Sequence, residues 1–298
     1  MSSHLLKEKG NWDLFHIHYL YSNAYVAGLL KLPYIVHLHG SDVRLIFDGG
    51  IYNGVLHKAL KRFACKRALT MLASTPNLLS LIRRLVPEVK SIYLPNPIDF
   101  KVFSRVNASK LSSCFSYLHD GIDVLITMPV KMDFKAKGND VVLKVLSKVD
   151  FGSNSYRIAT IAYGTDLPKF VELARKLGLK KRVVILKPIF HNHMPGLYGV
   201  SDVVIGAVTP REVFGMVALE AMACGSPTVN TWSKKYYGET GFPTIPYHEE
   251  KLGHFLQNLI NDVELRNKVA WKQLQWVKRN HHSRKVVGKL MKIYESIL

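Results

Sequence analysis

The stretch Ser201–Val229, SDVVIGAVTPREVFGMVALEAMACGSPTV, most constrains what this chain folds into. It opens with the apolar run Val203–Val208, which is typical of a buried strand. Good helix formers fill Met216–Cys224, and Gly225 follows at a position that suits a left-handed helix end. The stretch therefore predicts a strand, a loop and a short helix in succession, which is the local pattern of an α/β fold.

Two acids in this stretch, Glu212 and Glu220, stand eight residues apart, one just before the predicted helix and one inside it. An acid on an otherwise apolar helix is costly to bury without a partner. The N–H groups of Phe214, Gly215 and Met216 would form an anion site at the helix N-terminus. These features predict a pocket for a ligand with phosphate and hydroxyl groups; the alternative is a packed helix with two incidental acids.

Composition narrows the protein class. With 298 residues, 48% hydrophobic and 21% charged, the chain is expected to form two soluble globular domains. Its 3 cysteines form no C-x-x-C pair, which fits a reducing compartment. The start lacks the apolar core of a signal peptide and no run approaches the ~18 apolar residues of a membrane span, so we expect a cytoplasmic protein. The 41 basic and 22 acidic residues, formally +19, favour a polyanionic partner.

Strands alternate with helical patterns in both halves, which predicts parallel sheets with helices on their faces. We expect a first domain over residues 1–104, a polar linker over 105–116, a second domain over 117–276 and a terminal helix over 277–298. The predicted strands are Leu14–Tyr19, Tyr34–His39, Leu69–Ser74, Ser91–Pro95, Val124–Val130, Arg157–Tyr163, Val183–Pro188, Val203–Val208 and Pro227–Thr231, with Pro243–Tyr247 as a further candidate.

The segment EVFGMVALEAMACGSPTV resembles the E-x7-E signature of the retaining glycosyltransferases of family four, which have the GT-B fold. The resemblance implies two Rossmann-like domains facing across a cleft. It also implies metal-independent, hexosyltransferase-like transfer from a nucleotide-diphosphate sugar, with no cofactor. Glu220 would accept hydrogen bonds from ribose hydroxyls, Glu212 would hold sugar hydroxyls, and the amides of Phe214, Gly215 and Met216 would bind phosphate.

A second loop, PVKMDFKAKG, follows a predicted strand and carries Lys131, Lys137 and Gly138. It resembles the Arg-x5-Lys-Gly segment of the same family, whose two cations hold the donor diphosphate. Here the first cation is lysine, which cannot make the bidentate contact of arginine but still supplies fixed positive charge.

Two further loops follow strands. His39-Gly40-Ser41-Asp42 resembles the family's H-G-x-D segment, which implies that His39 reaches the donor sugar and that Gly40 and Asp42 belong to the donor site. A histidine at a strand end can also be a packing residue. Gly164 matches a family glycine position only in part, so we expect backbone packing near the nucleotide.

Four histidines form two H-x-H pairs on neighbouring strands, His16 with His18 and His37 with His39. Such a group could bind zinc. Against this, the resembled family needs no metal at its reaction centre, and no Cys, Asp or Glu joins the spacing. We therefore predict that these histidines bind no metal.

A basic helix is predicted within HKALKRFACKRAL, where Leu60, Phe63, Ala64 and Ala68 share one face. This pattern favours an interfacial helix at an anionic membrane, hence a peripheral protein at the inner face with a lipid-linked or glycan acceptor. The alternative is a solvated helix packed normally on its sheet. The flanking cations are Lys58, Lys61, Arg62, Lys66 and Arg67.

The resemblance covers Asp13 to Leu298, but family members begin with further strands and a glycine-rich loop. We therefore expect an incomplete N-terminal domain. Either a partner chain completes it, the reading frame is shortened, or the protein is a degenerate relative of the family. A second interpretation stays open, a non-catalytic or partner-dependent subunit that binds a nucleotide sugar. A nucleic-acid binder rests on charge alone, because no zinc-finger spacing or aromatic-interleaved basic patch accompanies it, and we predict no nucleic-acid partner.

Overall fold

The computed structural model describes residues 10–40, 42–43, 55–209, 215–232 and 244–298. The chain forms two compact units. The first runs to Pro97 and includes Arg284–Leu298, and the second is Ile98–Ser283. Each unit contains a parallel sheet with helices packed on it, which confirms the predicted α/β class.

The first unit has a four-stranded parallel sheet in the order β1-β2-β3-β4. Strands β2 and β3 are buried throughout, as expected of central strands covered on both faces. The elements up to Pro97 are β1 (Phe15–His18), α1 (Ser22–Leu29), β2 (Tyr34–Leu38), α2 (Val55–Arg67), β3 (Thr70–Ala73), α3 (Pro76–Leu85) and β4 (Ser91–Tyr93).

The second unit has a five-stranded parallel sheet made of β5 (Val124–Met128), β6 (Tyr156–Ile161), β7 (Val183–Leu186), β8 (Val203–Ile205) and β9 (Thr228–Val229). Its order is β7-β6-β5-β8-β9. The strand order therefore reverses between β5 and β8. In open α/β sheets, ligands bind beyond the carboxyl ends of the strands at such a switch point.

Helices cover both faces of this second sheet. They are α4 (Arg105–Leu111), α5 (Phe134–Lys137), α6 (Asn139–Leu146), α7 (Leu167–Lys176), α8 (Met194–Val200), α9 (Met216–Cys224), α10 (Glu249–Asn261) and α11 (Val263–Asn280). Short 3₁₀ turns lie at Ser112–His119, Lys180–Arg182 and His191–His193, and a small parallel pair joins β10 (Thr231–Trp232) to β11 (Ile245–Pro246). Helix α9 has the predicted bounds and ends at Gly225 with φ 81°.

The linker predicted over 105–116 is wrong, because this segment is helical and belongs to the second unit. The Ser104 side chain caps α4 by accepting a hydrogen bond from the Asn107 N–H at 3.3 Å. Ala108 is buried against Gly199 of α8, where any side chain would lie within 2.5 Å of the Ala108 carbonyl oxygen. This serine-rich segment is therefore a packed helix of the second unit and not a linker.

The last helix, α12 (Ser283–Glu295), packs in the first unit. Its Val286 and Ile293 share a buried apolar cluster with Leu72 of β3. Two consecutive helices precede α12, since Asp262 ends α10 and its carboxylate accepts the Leu265 N–H at 2.8 Å to begin α11.

Candidate functional site

Backbone hydrogen bonds join three loops at the carboxyl edge of the second sheet. The N–H of Met132, after β5, donates to Tyr163 after β6 at 2.7 Å, and the Asp166 N–H returns a bond to Met132 at 3.1 Å. The Val208 N–H, after β8, donates to Lys137 at 2.8 Å. The loops on both sides of the switch point thus form one connected surface.

Two glycines make this close approach possible. Gly138 has φ 69°, and a Cβ there would lie 1.6 Å from the Val208 carbonyl oxygen. Gly164 has φ 122°, and its Cβ would lie 2.4 Å from the Met132 carbonyl oxygen. Both positions exclude a side chain, and Gly164 packs on backbone as the sequence indicates.

Lys131 and Lys137 occupy the loop after β5. The Nζ of Lys131 lies 4.0 Å from the Asp133 carboxylate, and its side chain is 41% exposed. Burial lowers the pKa of Lys137; the nearby charge of Asp133 opposes this shift, and that of Lys131 adds to it. The charged form of Lys137 is therefore disfavoured by burial and by Lys131, and a bound anion would favour it.

A cavity of about 360 Å³ adjoins this loop. Its walls are mainly apolar, and its few polar groups converge from the loop after β7 and from α8 and α9. This is the usual composition of a small-molecule site. The lining residues are Pro129, Val130, Ile161, Tyr163, Pro188, Ile189, His191, Met194, Tyr198, Met216, Val217 and Glu220.

Glu220 supplies the carboxylate of the cavity, and its side chain is only 5% exposed. The buried Tyr198 hydroxyl donates to Oε2 at 2.9 Å, and Nε2 of His191 lies 2.9 Å from Oε1. Burial, followed by the charge of Glu220, raises the pKa of Tyr198 well above its ordinary value. Tyr198 is therefore a fixed donor that orients the carboxylate.

Sequence reasoning missed His191 and Tyr198 as partners of Glu220. It placed a nucleotide contact in the loop 189–193 but found nothing diagnostic there. No local pattern links the three residues, because Tyr198 and His191 lie 22 and 29 positions before Glu220. They meet Glu220 only because α8 and the 3₁₀ turn before it pack near α9.

The start of α9 lies beside the cavity. Gly215 is its N-cap and Met216, its first residue, contributes to the cavity wall. The first N–H groups of a helix lack the usual intrahelical partner, so such a position is suited to binding an anion. The predicted site residues Glu212 and Phe214 lie outside the described residues, and their roles stay predictions.

In the first unit, His39 and Gly40 follow β2, and Gly40 has φ 111° with open space where a Cβ would be. Asp42 does not meet the expectation that it would contact the sugar donor. It is fully buried, and its carboxylate accepts the N–H groups of Leu20, His39 and Gly40 at 3.1, 3.2 and 2.8 Å. Asp42 therefore shapes the loop that presents His39.

The prediction of an interfacial helix is also wrong, because the apolar face of α2 packs in the protein. Ala64 and Ala68 are buried in the core of the first unit, and Phe63 packs beside Gly28 of α1. Lys61 is only 3% exposed, and burial lowers its pKa while the charge of Asp42 opposes that shift. The apolar face serves the fold, so it is not free to enter a lipid layer.

Of the remaining predicted cations on α2, three are exposed: Arg62, Lys66 and Arg67. Lys66 pairs with Glu88 at 2.8 Å. The side chain of Lys58 lies outside those the structure describes. Among the described helices, none combines the length and apolar character that crossing a bilayer requires.

Comparison with known proteins gives consistent matches. N-acetyl-alpha-D-glucosaminyl L-malate synthase of Bacillus anthracis is 23% identical over 308 aligned positions, which cover 98% of this chain and 76% of that protein. Sucrose-phosphate synthase of Thermosynechococcus elongatus has a similar structure, with a TM-score of 0.81 at 15% identity over 99% of this chain and 76% of the other. Anabaena HepE, solved with UDP, gives 0.79 at 16% identity over 99% of this chain and 82% of its own.

These structural matches show the GT-B fold. Their sequence identities are too low to support a conclusion about activity or substrate. The sequence itself goes further. The model of a family described as glycosyl transferases group 1 matches residues 124–276, slightly more than half of the chain and most of the site-bearing unit. The chain therefore belongs to the glycosyl transferases group 1 family.

Proposed function

We propose that this protein is a retaining glycosyltransferase that moves a sugar from a nucleotide-diphosphate sugar to an acceptor hydroxyl or phosphate. The observation that carries the proposal is the buried carboxylate of Glu220 in the wall of an apolar cavity, beside the first residues of α9. Tyr198 and His191 each occupy one oxygen of this carboxylate, and its remaining acceptor sites suit a ligand rich in hydroxyl donors.

The cavity fits the nucleoside. The apolar side chains of Val130, Ile161 and Ile189 provide faces for a flat base. Glu220 has about four lone-pair sites and uses one on each oxygen, for His191 and Tyr198, so two remain for ribose hydroxyls. Hydrogen bonds to a carboxylate are stronger than those between neutral groups.

The diphosphate would lie between Lys131, Lys137 and the N-terminus of α9. Fixed positive charge and helix N–H groups stabilise the negative charge that develops on the leaving group. Glu212 is proposed to hold sugar hydroxyls and His39 to contact the donor sugar. Transfer then rests on positioning and electrostatics, and we propose that it needs neither cofactor nor metal.

Donor binding is tested by thermal shift and calorimetry with UDP, UDP-glucose and other nucleotide sugars, since HepE was solved with UDP and with UDP-glucose. Glu220→Gln should weaken the preferred nucleotide about 10- to 100-fold, because hydrogen bonds to a charged group contribute about 1.5–3 kcal/mol. The matched control is Glu172→Gln, an exposed acid of α7 paired with Arg175. Equal affinity in the two variants would contradict the assignment.

Turnover is tested with Lys137→Ala, which should lower donor hydrolysis or transfer about 10²- to 10³-fold through loss of leaving-group stabilisation. Lys135→Ala, an exposed lysine of the same helix α5, should leave the rate unchanged. Wild-type turnover in Lys137→Ala would refute the assignment. Nucleotide-sugar binding by the wild type without turnover would instead support the second interpretation, a binding subunit that needs a partner chain.

The proposal includes a cytoplasmic location and a lipid-linked acceptor. It also includes contact with an anionic membrane surface, now through exposed cations alone. With the apolar face of α2 buried, attraction would rest on Arg62, Lys66 and Arg67. Binding to anionic vesicles should then vanish at moderate salt, because screening removes surface attraction. Salt-resistant binding would contradict a purely electrostatic contact.

A further inference from the structure

A row of four histidine rings lies at the carboxyl ends of β1 and β2. His16 stacks on His18 with ring centroids 4.6 Å apart, and His37 stacks on His39 at 4.5 Å. The two pairs also meet across the strands, with His18 and His37 at 5.2 Å. The parallel register places His18 directly beside His37. All four side chains thus share one face of the first sheet.

His37 occupies the centre of this row and is 96% buried in the first unit, with 4% of its surface exposed. Neither ring nitrogen has a well-formed hydrogen bond among the described residues. Burial and the neighbouring imidazoles lower the pKa of His37, and the nearby Leu94 backbone only partly opposes this shift. Buried polar groups in native proteins are nearly always satisfied, and an exception calls for an explanation such as a bound ion.

His16 and His18 are each held at one nitrogen. The Nδ1 of His16 lies 2.6 Å from the Tyr294 hydroxyl of α12, while its Nε2 is buried and has no partner in the described part of the chain. The Nδ1 of His18 lies 2.9 Å from Nε2 of His39, so Nε2 remains as its other donor atom. Metal-binding histidines commonly anchor their second nitrogen in this way, which orients the ring.

The imidazoles are in the form that binds metals. Burial, followed by neighbouring imidazoles, lowers the pKa of His16 to about 4 and that of His37 to about 3. Both rings are therefore neutral near pH 7 and keep a lone pair for an ion.

We propose that His16, His18 and His37 bind one divalent transition-metal ion of the zinc or nickel class. One nitrogen from each residue already lies within 4.8 Å of the other two. Zn–N bonds are about 2.0–2.1 Å, so the rings draw together around the ion, and three histidines leave a fourth position open. Imidazole selects Zn²⁺, Ni²⁺ or Cu²⁺ over Mg²⁺ and Ca²⁺, which prefer oxygen ligands. The three proposed ligands belong to the first unit, whereas the residues that line the donor cavity belong to the second.

The test uses the full chain without a histidine tag, stripped with a chelator, desalted and titrated by calorimetry with Zn²⁺, Ni²⁺ and Mg²⁺. We expect one Zn²⁺ or Ni²⁺ per chain and no binding of Mg²⁺. His37→Gln and His18→Gln should each weaken Zn²⁺ at least 10-fold. His254→Gln, an exposed histidine of α10, is the matched control and should bind like the wild type.

His18 is exposed, so His18→Gln keeps the test decisive if His37→Gln fails to fold. Tyr294→Phe separates ligation from packing, because loss of an outer partner lowers metal affinity about 10- to 100-fold while the ring still packs. Three results would overturn the proposal: no saturable Zn²⁺ binding, unchanged binding in His18→Gln, or loss of binding in His254→Gln.

Discussion

The two sheets fix their carboxyl-end loops in different ways. In the first unit, one side chain organises the loop after β2, since the buried Asp42 carboxylate gathers three N–H groups. In the second unit, backbone binds backbone directly, as in the bonds of Val208 to Lys137 and of Met132 to Tyr163. The second arrangement needs no side chain, but it needs glycine at the closest contacts.

The difference shows where each loop is vulnerable. A loop held by a side chain should lose stability when the chemistry of that side chain changes, even if its size is kept. A loop held by backbone hydrogen bonds should tolerate changes in side-chain chemistry but lose stability when volume is added at the contact. Substitutions that separate charge from volume therefore test the contrast directly.

Gly138→Ala should give the largest effect. The new Cβ would lie 1.6 Å from the Val208 carbonyl oxygen, so the loops after β5 and β8 must separate. The matched control is Gly121→Ala, where φ is 68° and the Cβ meets nothing within 4 Å. Both variants bear the left-handed strain of about 1–2 kcal/mol, and overpacking should cost Gly138→Ala about 1–3 kcal/mol more. Chemical denaturation measures this difference; equal losses would show that the contact relaxes freely.

Asp42→Asn should give an intermediate effect. It keeps the side-chain volume but replaces one accepting oxygen by an NH₂ group facing backbone donors, at an expected cost of about 1.5–3 kcal/mol in the free energy of unfolding. Asp99→Asn is the control, because the Asp99 carboxylate is exposed and accepts the Lys101 N–H at 2.8 Å. A loss no greater than that of the control would mean that Asp42 does not organise its loop.

The smallest expected effect concerns the pH dependence of transfer. Because burial lowers the pKa of Lys137 from the ordinary 10.5, this lysine loses its charge at a lower pH than a solvated one. Activity should therefore fall as pH rises through the lowered pKa. In Lys137→Arg the cation stays charged, so the alkaline limb of kcat/KM should move to higher pH. If the alkaline limb of kcat/KM does not move in Lys137→Arg, a group other than Lys137 causes that limb.

Sequence patterns predicted the strands well, because central strands such as β2, β5 and β8 are short apolar runs that are buried throughout. Helix α9 could be predicted to the residue, since its glycine stop and its apolar face are local signals. The glycine after Lys137 could also be predicted, because Gly138 has φ 69° and ends the short helix α5.

The failures all depend on distant partners. The segment 105–116 looks like a linker until Gly196 and Gly199 of α8 allow its backbone to pack closely. Lys61 looks exposed until the surrounding fold buries it near Asp42. The carboxylate network at Glu220 likewise needs two residues from other elements. None of these contacts leaves a trace in neighbouring sequence.

The position of α12 has a consequence for synthesis. The first unit closes one of its apolar clusters, around Leu72 and Leu94, only with Val286 and Ile293 near the end of the chain. During translation at about 5–20 residues per second, the early strands would wait on the order of ten to forty seconds for that helix. The second unit is contiguous and emerges complete in the meantime. The first unit to be synthesised is thus the last to finish folding, with an apolar surface exposed to chaperones throughout the interval.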